Sequence, residues 1–281
     1  MKNFKRKIGL LIAEESGKAL DLSGFRVSFS VEKTANEQPN KATIFVWNLS
    51  GTTASQLVSG KMTRIVLQAG YEENASVIFD GNLIAVKKHR EGPDTILQID
   101  AGDGDKAYSF AVVQQSIASG YSNADVVKAT TAELKAQGTR GEQTEAVNAE
   151  ARYPRGRVLF GSARKFAREV AKTTDCQWSV QDGQVVFCKV KTATKGAEAF
   201  VLSSSSGLVG APSVDKDGVT ALCCMNPRLH IYDPVQIDSE FVKGVFKILT
   251  IKHAGDTHGN EWTTEITATL IDTSSSETTQ R

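Results

Sequence analysis

Few residues in this chain have both the type and the spacing to do chemistry. His253, Asp256 and His258, in the run HAGDTH, carry side chains that bind zinc. A strand-end histidine and a loop histidine would have to converge across a hairpin turn, and no helix-borne HExxH accompanies them. A polar hairpin turn explains them better. Asp100, Asp103 and Asp105, in IDAGDGD, match the opening of a calcium loop in part, but its regular acidic spacing and closing glutamate are missing. A strand-to-helix turn in which Asp105 caps the helix accounts for the same residues. Vicinal Cys223 and Cys224 have the composition of a redox pair. Adjacent strand residues point to opposite faces, so two independent packing thiols are the better account.

Nucleophile and phosphate motifs are equally incomplete. Gly161-Ser162 and Ser206-Gly207 lack the flanks of a GxSxG elbow. The segment Gly51 to Lys61 contains a Gly-Lys pair at the wrong spacing for a P-loop, with no Ser or Thr after the lysine. Arg152, Arg155 and Arg157 surround Pro154 and could touch nucleic acid. The chain, however, balances 33 Lys and Arg against 32 Asp and Glu, which leaves no basic footprint, and a solvated loop is favoured. The four cysteines, Cys176, Cys188, Cys223 and Cys224, fit neither a disulfide framework nor a zinc site and read as reduced, buried thiols of a protein made in a cytoplasm. No catalytic, cofactor-binding or metal residue is assigned, and no enzymatic activity is expected.

The elements that would position any site are mostly strands. At 281 residues the chain is long enough for two domains, or one with an insert. Lys2, Lys5, Arg6 and Lys7 precede IGLLIA, but this apolar run is too short for a secretory signal and Glu14-Glu15 follows it, so a first β-strand is predicted. Nothing reaches the length of a membrane span, and no membrane anchor is expected. Phe25, Val27, Phe29 and Val31 alternate with Arg26, Ser28, Ser30 and Glu32. Ala42 to Leu49 is a second strand, predicted to turn Phe45, Trp47 and Leu49 toward the core. Ser50 caps a short helix whose Leu57 and Val58 are expected to reach the same wall.

Thr63 to Tyr108 reads as an antiparallel meander passing into a helix. Ile65, Leu67, Ala69 and Tyr71 share one face, Gly81 marks a bulge or bend, Glu91-Gly92-Pro93-Asp94 turns the chain, and Leu97 and Ile99 face one way. After Gly102 the period changes. A helix from Asp105 through Tyr108, Val112 and Ile117 is predicted, then one over Ala124 to Lys135 capped by Ser122 or Asn123 and ended by Gly138, then one over Ser162 to Lys172. Gly138 to Ala151 is expected to be a loop. The hairpin CQWSVQDGQVVFC carries Asp182-Gly183, a type I′ signal. Ala199 to Leu202 returns to strand, and LSSSSGLVGAP is predicted as an extended loop. Asp217-Gly218 turns into Val219 to Met225, and further strands are expected at Arg228–Ile231, Val235–Ile237, Gly244–Lys252 and Trp262–Leu270. The tail DTSSSETTQR has nothing to bury and should be disordered or ordered only on a partner. One internal echo stands out: NLIAVKKHREGPDTILQIDA parallels FKILTIKHAGDTHGNEWTTEITA, each a strand ending in Lys-His, a Gly/Asp turn and an alternating strand.

Three stretches, in order, resemble the hub proteins of bacteriophage tail baseplates. IFDGNLIAVKKHREGPDTILQIDAGDGDKAYSFAVV is similar to the family's first barrel, with its F.G.I strand and DGD.A turn into a helix. GLVGAPSVDKDGVTALCCMNPRL resembles its GLIG.P loop, strand and LNP.L turn, with Cys224-Met225 replacing part of the apolar pattern before Asn226-Pro227. HAGDTHGNEWTTEITA resembles its closing hairpin, Trp262 included. The resemblance spans about Phe25 to Leu270. It implies a mainly β chain with an α+β insert: two tail-tube-like antiparallel β-barrels, residues 1–102 and 193–272, flanking a small α/β domain, residues 103–192, before a tail at 273–281.

The resemblance further implies a homotrimer around an axial channel, whose six barrels join a sixfold tail tube to a threefold spike, as in type VI secretion spike proteins. The implied partners are the tail tube protein, the spike, and tape-measure and baseplate proteins. The genome would pass through the channel without sequence-specific binding, in a virion baseplate assembled in the host cytoplasm. Some relatives carry a fused lysozyme domain; no segment here is left over for one. Two other classes make contrasting expectations. A glycan-binding or receptor-binding β module of a tail would expose aromatics in a shallow groove, whereas Trp47, Trp178 and Trp262 are expected in cores. A metal-dependent hydrolase would need His253, Asp256 and His258 to converge in a pocket.

Overall fold

The computed structural model describes residues 4–14, 17–144, 146–147, 151–194, 198–216 and 218–271. The chain begins with strands β1 (Arg6–Glu14), β2 (Ala19–Asp21), β3 (Val27–Thr34) and β4 (Asn40–Trp47), helix α1 (Gly51–Val58), and the meander β5 (Met62–Tyr71), β6 (Ser76–Glu91) and β7 (Asp94–Asp103). The middle holds α2 (Asp105–Phe110), β8 (Val112–Ile117), β9 (Tyr121–Ser122), α3 (Asn123–Ala136), β10 (Gly141–Gln143), β11 (Arg152–Tyr153), β12 (Arg157–Ser162), α4 (Ala163–Thr173), β13 (Cys176–Gln181) and β14 (Gln184–Lys189). The last third holds β15 (Phe200–Ser203), a short 3₁₀ turn at Ser204–Ser206, β16 (Leu208–Asp215), β17 (Gly218–Cys224), β18 (Pro234–Asp238), β19 (Lys243–Asp256) and β20 (Trp262–Leu270). The protein is mainly β. It divides into two compact units, one of Met1–Thr34, Asn40–Asp103 and Glu198–Thr269, the other centred on Ala35–Pro39 and Gly104–Ala197.

The first unit is one 13-stranded sheet whose ladder path is open, running β16-β17-β20-β19-β3-β4-β7-β6-β5-β1-β2 with β15 and β18 branching from β19. Within it the same wiring occurs twice. Setting the three-residue β2 aside, the first six strands lie in the order β1-β5-β6-β7-β4-β3, and the last six in the order β15-β18-β19-β20-β17-β16. In both, the first strand pairs with the fourth, the second with the third, the third with the sixth, and the fourth and fifth with their successors. One pairing differs in sense: β1 runs antiparallel to β5, while β15 runs parallel to β18. The two echoing sequences fall on β6–β7 and β19–β20, the equivalent hairpins of the two sets. The sets are joined edge to edge by β19 and β3, whose antiparallel ladder pairs Thr250 with Thr34 through Asp256 with Ser28.

Alternation supplies the core. Leu10 and Ile12, Val27, Phe29 and Val31, Ala42, Ile44 and Val46, Ile65, Leu67 and Ala69, and Leu97, Ile99 and Ala101 all reach one apolar cluster, so these five strands share a single interior. Ser50 caps α1 by accepting the Thr53 N–H at 3.1 Å, and the helix adds Ala54 and Leu57. Two details depart from the sequence reading. The inward residues of β4 are Ala42, Ile44 and Val46, which leaves Phe45 and Trp47 half-buried on the other face, and Val58 is exposed. Bulk misled there, because β4 packs its small and β-branched face inward against the crowded neighbours β3 and β7. The ladders of β6 shift register at Leu67/Gln68 of β5 and, against β7, at its own Leu83/Ala85. Gly81 has another reason: a Cβ there would lie 2.6 Å from the Gly102 carbonyl oxygen.

The second unit packs α2, α3 and α4 with β13–β14 around Trp178, which lies 5.4 Å from Tyr108 and 6.2 Å from Phe187 by ring centres. The α3 cap is a full capping box: Ser122 accepts the Asp125 N–H while Asp125 accepts the Ser122 N–H at 2.8 Å. Gly138 follows at φ +108 as the left-handed residue beyond the helix end, and Asp182-Gly183 turns the hairpin with both φ positive. The helix predicted from Asp105 to Ile117 stops at Phe110. Its N-cap is Gly104, not Asp105, and Ala111 is already extended. Val112–Ile117 is a strand paired with β12, burying Val113 and exposing Val112, a period-two pattern that β-branched valines favour. The expected Gly138–Ala151 loop includes the short β10, parallel to β14.

Two predictions in the last third also change. LSSSSGLVGAP is strand, 3₁₀ turn and strand rather than an extended loop; only Leu202 and Pro212 of its β15 and β16 residues are buried, so no apolar alternation marks them. Arg228–Ile231 is a turn, initiated by Asn226 Oδ1 accepting the Arg228 N–H at 3.1 Å; Leu229 and Ile231 are buried without pairing in a ladder. Asp217 and the tail 272–281 lie outside the described residues.

Candidate assembly interface

The residues with chemical potential are each used locally. The imidazole of His253 is buried and its Nδ1 sits 2.8 Å from Thr264 Oγ1. Asp256 accepts the His258 N–H at 2.8 Å and pairs with Arg26 at 3.1 Å, closing the hairpin as an Asx turn. Burial pushes the Asp256 carboxyl up, but the His258 amide, Arg26 and the Gly259 amide together outweigh it and hold the group below its usual range. His258 is exposed and bonds Thr257. Asp100 bonds Gln98 and Lys87 on the sheet surface, Asp103 is buried, and Asp105 lies in the first turn of α2. Among the described residues no group of three or more His, Cys, Asp or Glu is placed to hold a metal ion.

Cys223 and Cys224 point to opposite faces of β17. Burial, then the neighbouring Cys224, pushes the Cys223 thiol up to about 12, while Cys224 packs against the first core cluster. Arg152 donates to the Gly120 carbonyl, and Arg157 pairs with Glu169 at 2.7 Å over the Phe166 ring. Trp178 and Trp262 are buried as expected. Trp47 is not, and its ring is covered by the Arg26 guanidinium at 4.3 Å.

What the first unit does offer is backbone edge. Strand β19 neighbours β20 on one side, and on the other its first part (Lys243–Lys247) pairs with β18 and its second part (Thr250–Asp256) with β3. Strand β6, its equivalent, pairs with β5 only over Ser76–Asn82. From Leu83 to Glu91 it pairs with β7 alone, and its other edge is open among the described residues. Strand β16, the equivalent of β3, pairs with β17 alone. Both open edges carry exposed β-branched residues, Ile84 at 56% and Val214 at 67% exposure. Long unpaired edges with apolar side chains are what isolated proteins avoid. Sequence reading missed both. The available signal was the length of the Ser76–Glu91 run, which outlasts its ten-residue neighbour.

The joint already made, β3 with β19, shows how such edges are secured. Trp262 stands edge-on to Phe29 at 5.6 Å, and its Nε1–H donates to the Gly70 carbonyl at 3.2 Å. The Arg6 guanidinium donates to the carbonyls of Gly259 (2.6 Å) and Asn260 (2.9 Å) and lies over the Trp262 ring, tying β1 to the β19–β20 hairpin. At the pair Gly255–Phe29 the strand carries glycine because a Cβ there would lie 2.7 Å from both Phe29 and Trp262 ring carbons.

Comparison with known proteins bears on this architecture. The family model described as baseplate hub gp41 matches residues 7–267. None of the curated protein sequences matches this chain. Among solved structures, the 43 kDa tail protein of prophage MuSo2 from Shewanella oneidensis superimposes with a TM-score of 0.64 at 8% identity, covering 95% of this chain and 97% of its own. A tail protein from Neisseria meningitidis gives 0.64 at 9% identity, with the same coverage. The E. coli c3393 protein, a component of the type VI secretion system described as structurally similar to T4 tail proteins gp27 and gp5, gives 0.58 at 9% identity, over 96% of this chain and 78% of its own. At such identities the likeness speaks for the fold.

Proposed function

The chain belongs to the baseplate hub gp41 family, and from that premise we propose that it is a non-catalytic structural hub that trimerises around an axial channel and joins the tail tube to the spike. The observation that carries this reading is the repeated six-strand wiring. Each set curls as a tail-tube-like barrel, so three chains present six similar units, which matches a sixfold tube on one side and a threefold spike on the other. The structural likeness to a type VI secretion component described as similar to phage tail proteins is in keeping with that setting. Tail tube, tape-measure and other baseplate proteins complete the surroundings, in the virion tail, assembled in the host cytoplasm. The genome passes through the channel without sequence-specific contact, in keeping with the net charge of +1. A glycan-binding module finds less support, because the one outward tryptophan, Trp47, is capped by Arg26.

Light scattering behind size exclusion, over a concentration series, tests the reading. A hub gives a species of three times the 30.3 kDa chain mass, growing with concentration. A monomer throughout the series overturns it.

A further inference from the structure

The second unit carries a cleft of about 410 Å³ that the assembly reading leaves unused. One wall is helix α4. Its apolar face, Ala163, Phe166, Ala167 and Val170, is buried, so the i, i+4, i+8 row of Arg164, Arg168 and Lys172 comes out along the cleft. The segment Ala35–Gln38 and the start of β13, Cys176–Trp178, line the rest. Against three cations the lining holds one acid, Glu37. That residue shows what the row accepts: its carboxylate takes the Arg168 Nε–H, and its carbonyl oxygen takes the Arg164 Nη2 donor at 2.6 Å. Lys172 is exposed and makes no ion pair among the described residues.

Two donors in the same lining lack an acceptor among the described residues. Trp178 is 1% exposed, and its Nε1–H has no hydrogen-bond partner. The buried Nε–H of Arg164 has none either, while the guanidinium lies over the Tyr108 ring at 5.7 Å. Buried donors are nearly always satisfied, because an unpaired one keeps the full cost of leaving water. Both orphans belong to residues lining a cationic cleft, and an oxygen acceptor from outside is what that lining is short of.

We propose that this cleft holds an extended acidic segment of a partner protein, with carboxylates at alternate positions. Spacing selects that ligand. Residues four apart on a helix are separated by about 6 Å along its axis, so the cation row spans about 12 Å. Alternate side chains of an extended strand repeat about every 6.6 Å on one face. Carboxylates at i, i+2 and i+4 therefore keep step with Arg164, Arg168 and Lys172, whereas a single phosphate meets only one or two of them. The incoming acids compete with Glu37, which already holds Arg168, so binding is weak and salt-dependent. Each chain carries the cleft by itself, so its occupancy does not depend on the hub reading.

The test titrates the full chain into fluorescein-labelled peptide SDSDSDS at low salt and follows anisotropy, with SNSNSNS and inorganic phosphate as comparisons. Lys172→Gln breaks no ion pair in the chain and should weaken binding about two- to fivefold. Glu37→Gln removes the resident competitor and should tighten it. Lys165→Gln makes the same charge change at an exposed position of α4 outside the cleft and should leave binding unchanged. The indole N–H resonance of Trp178 should shift with the peptide, while that of Trp262, bonded to Gly70, stays. No saturable binding, no loss with Lys172→Gln, or the same loss with Lys165→Gln overturns the site. So does binding that leaves the Trp178 resonance unmoved. Phosphate or SNSNSNS binding as tightly as SDSDSDS overturns the acidic segment as occupant. Should Glu37→Gln lower the urea midpoint, the Lys172→Gln and Lys165→Gln pair still decides. Light scattering of the same samples judges the hub reading separately.

Discussion

Replacing Gly255 by alanine puts the β3–β19 joint under direct test. In an extended strand this change ordinarily stabilises by about 0.4–1 kcal/mol, because alanine leaves the unfolded chain less freedom. Gly255 does not have a left-handed φ, so no backbone strain opposes the change. The new Cβ would nevertheless sit 2.7 Å from ring carbons of both Phe29 and Trp262, and neither ring can yield freely: Trp262 is held by its bond to Gly70 and both are buried. Overpacking of this kind costs roughly 1–3 kcal/mol. The cost outweighs the gain, for a net loss of about 1–2 kcal/mol. Urea unfolding followed by tryptophan fluorescence reads it, with Trp262 as a reporter at the site, as a midpoint lowered by roughly 0.5–1 M. Gly51→Ala is the control: its Cβ meets nothing within 4 Å at the start of α1, and it should be neutral or stabilising. A Gly255→Ala midpoint at or above the parent refutes the tight joint.

Further outcomes follow from the second unit and from β17. Ser122→Ala removes the hydroxyl half of the capping box and should cost about 1 kcal/mol in the same melt; a shift indistinguishable from zero contradicts the cap. The Ser122 backbone and side-chain hydrogen bonds hold the Asp125 carboxyl below its ordinary value. Its contribution is thus present above the usual carboxylate range and lost as pH falls through the lowered value, and Asp125→Asn should flatten that part of the stability–pH curve. With its thiol buried and pushed up to about 12, Cys223 should stay unlabelled by a thiol reagent at pH 8 until the chain is unfolded, and rapid native labelling at Cys223 by peptide mapping would contradict the packing.

Much of the fold was legible because alternation and turn chemistry dominate it. Ile65–Tyr71 and Trp262–Leu270 stripe as strands with one buried face, and Asp182-Gly183 can hardly do anything but turn a hairpin. What was hidden has physical reasons. Val112–Ile117 followed a genuine helix start and its two valines fit either period, so only the partner strand β12 decides it. Strands β15 and β16 bury too few side chains to stripe. In β4 the larger aromatics lie outside while Ala42, Ile44 and Val46 fill a crowded interior, a choice made by neighbours rather than by hydrophobicity. Asp256 lies in a hairpin turn and Cys223 packs in the interior. Of the open edges, only the excess length of the Ser76–Glu91 run was visible beforehand; that of β16 had no such signal, since an edge is a property of pairing and not of residue type.

The most direct test of the account is electron microscopy of the purified assembly at a resolution that separates strands. The account predicts a threefold particle with six similar β units around a central channel. A particle of single chains, or a ring without six similar β units, would contradict it.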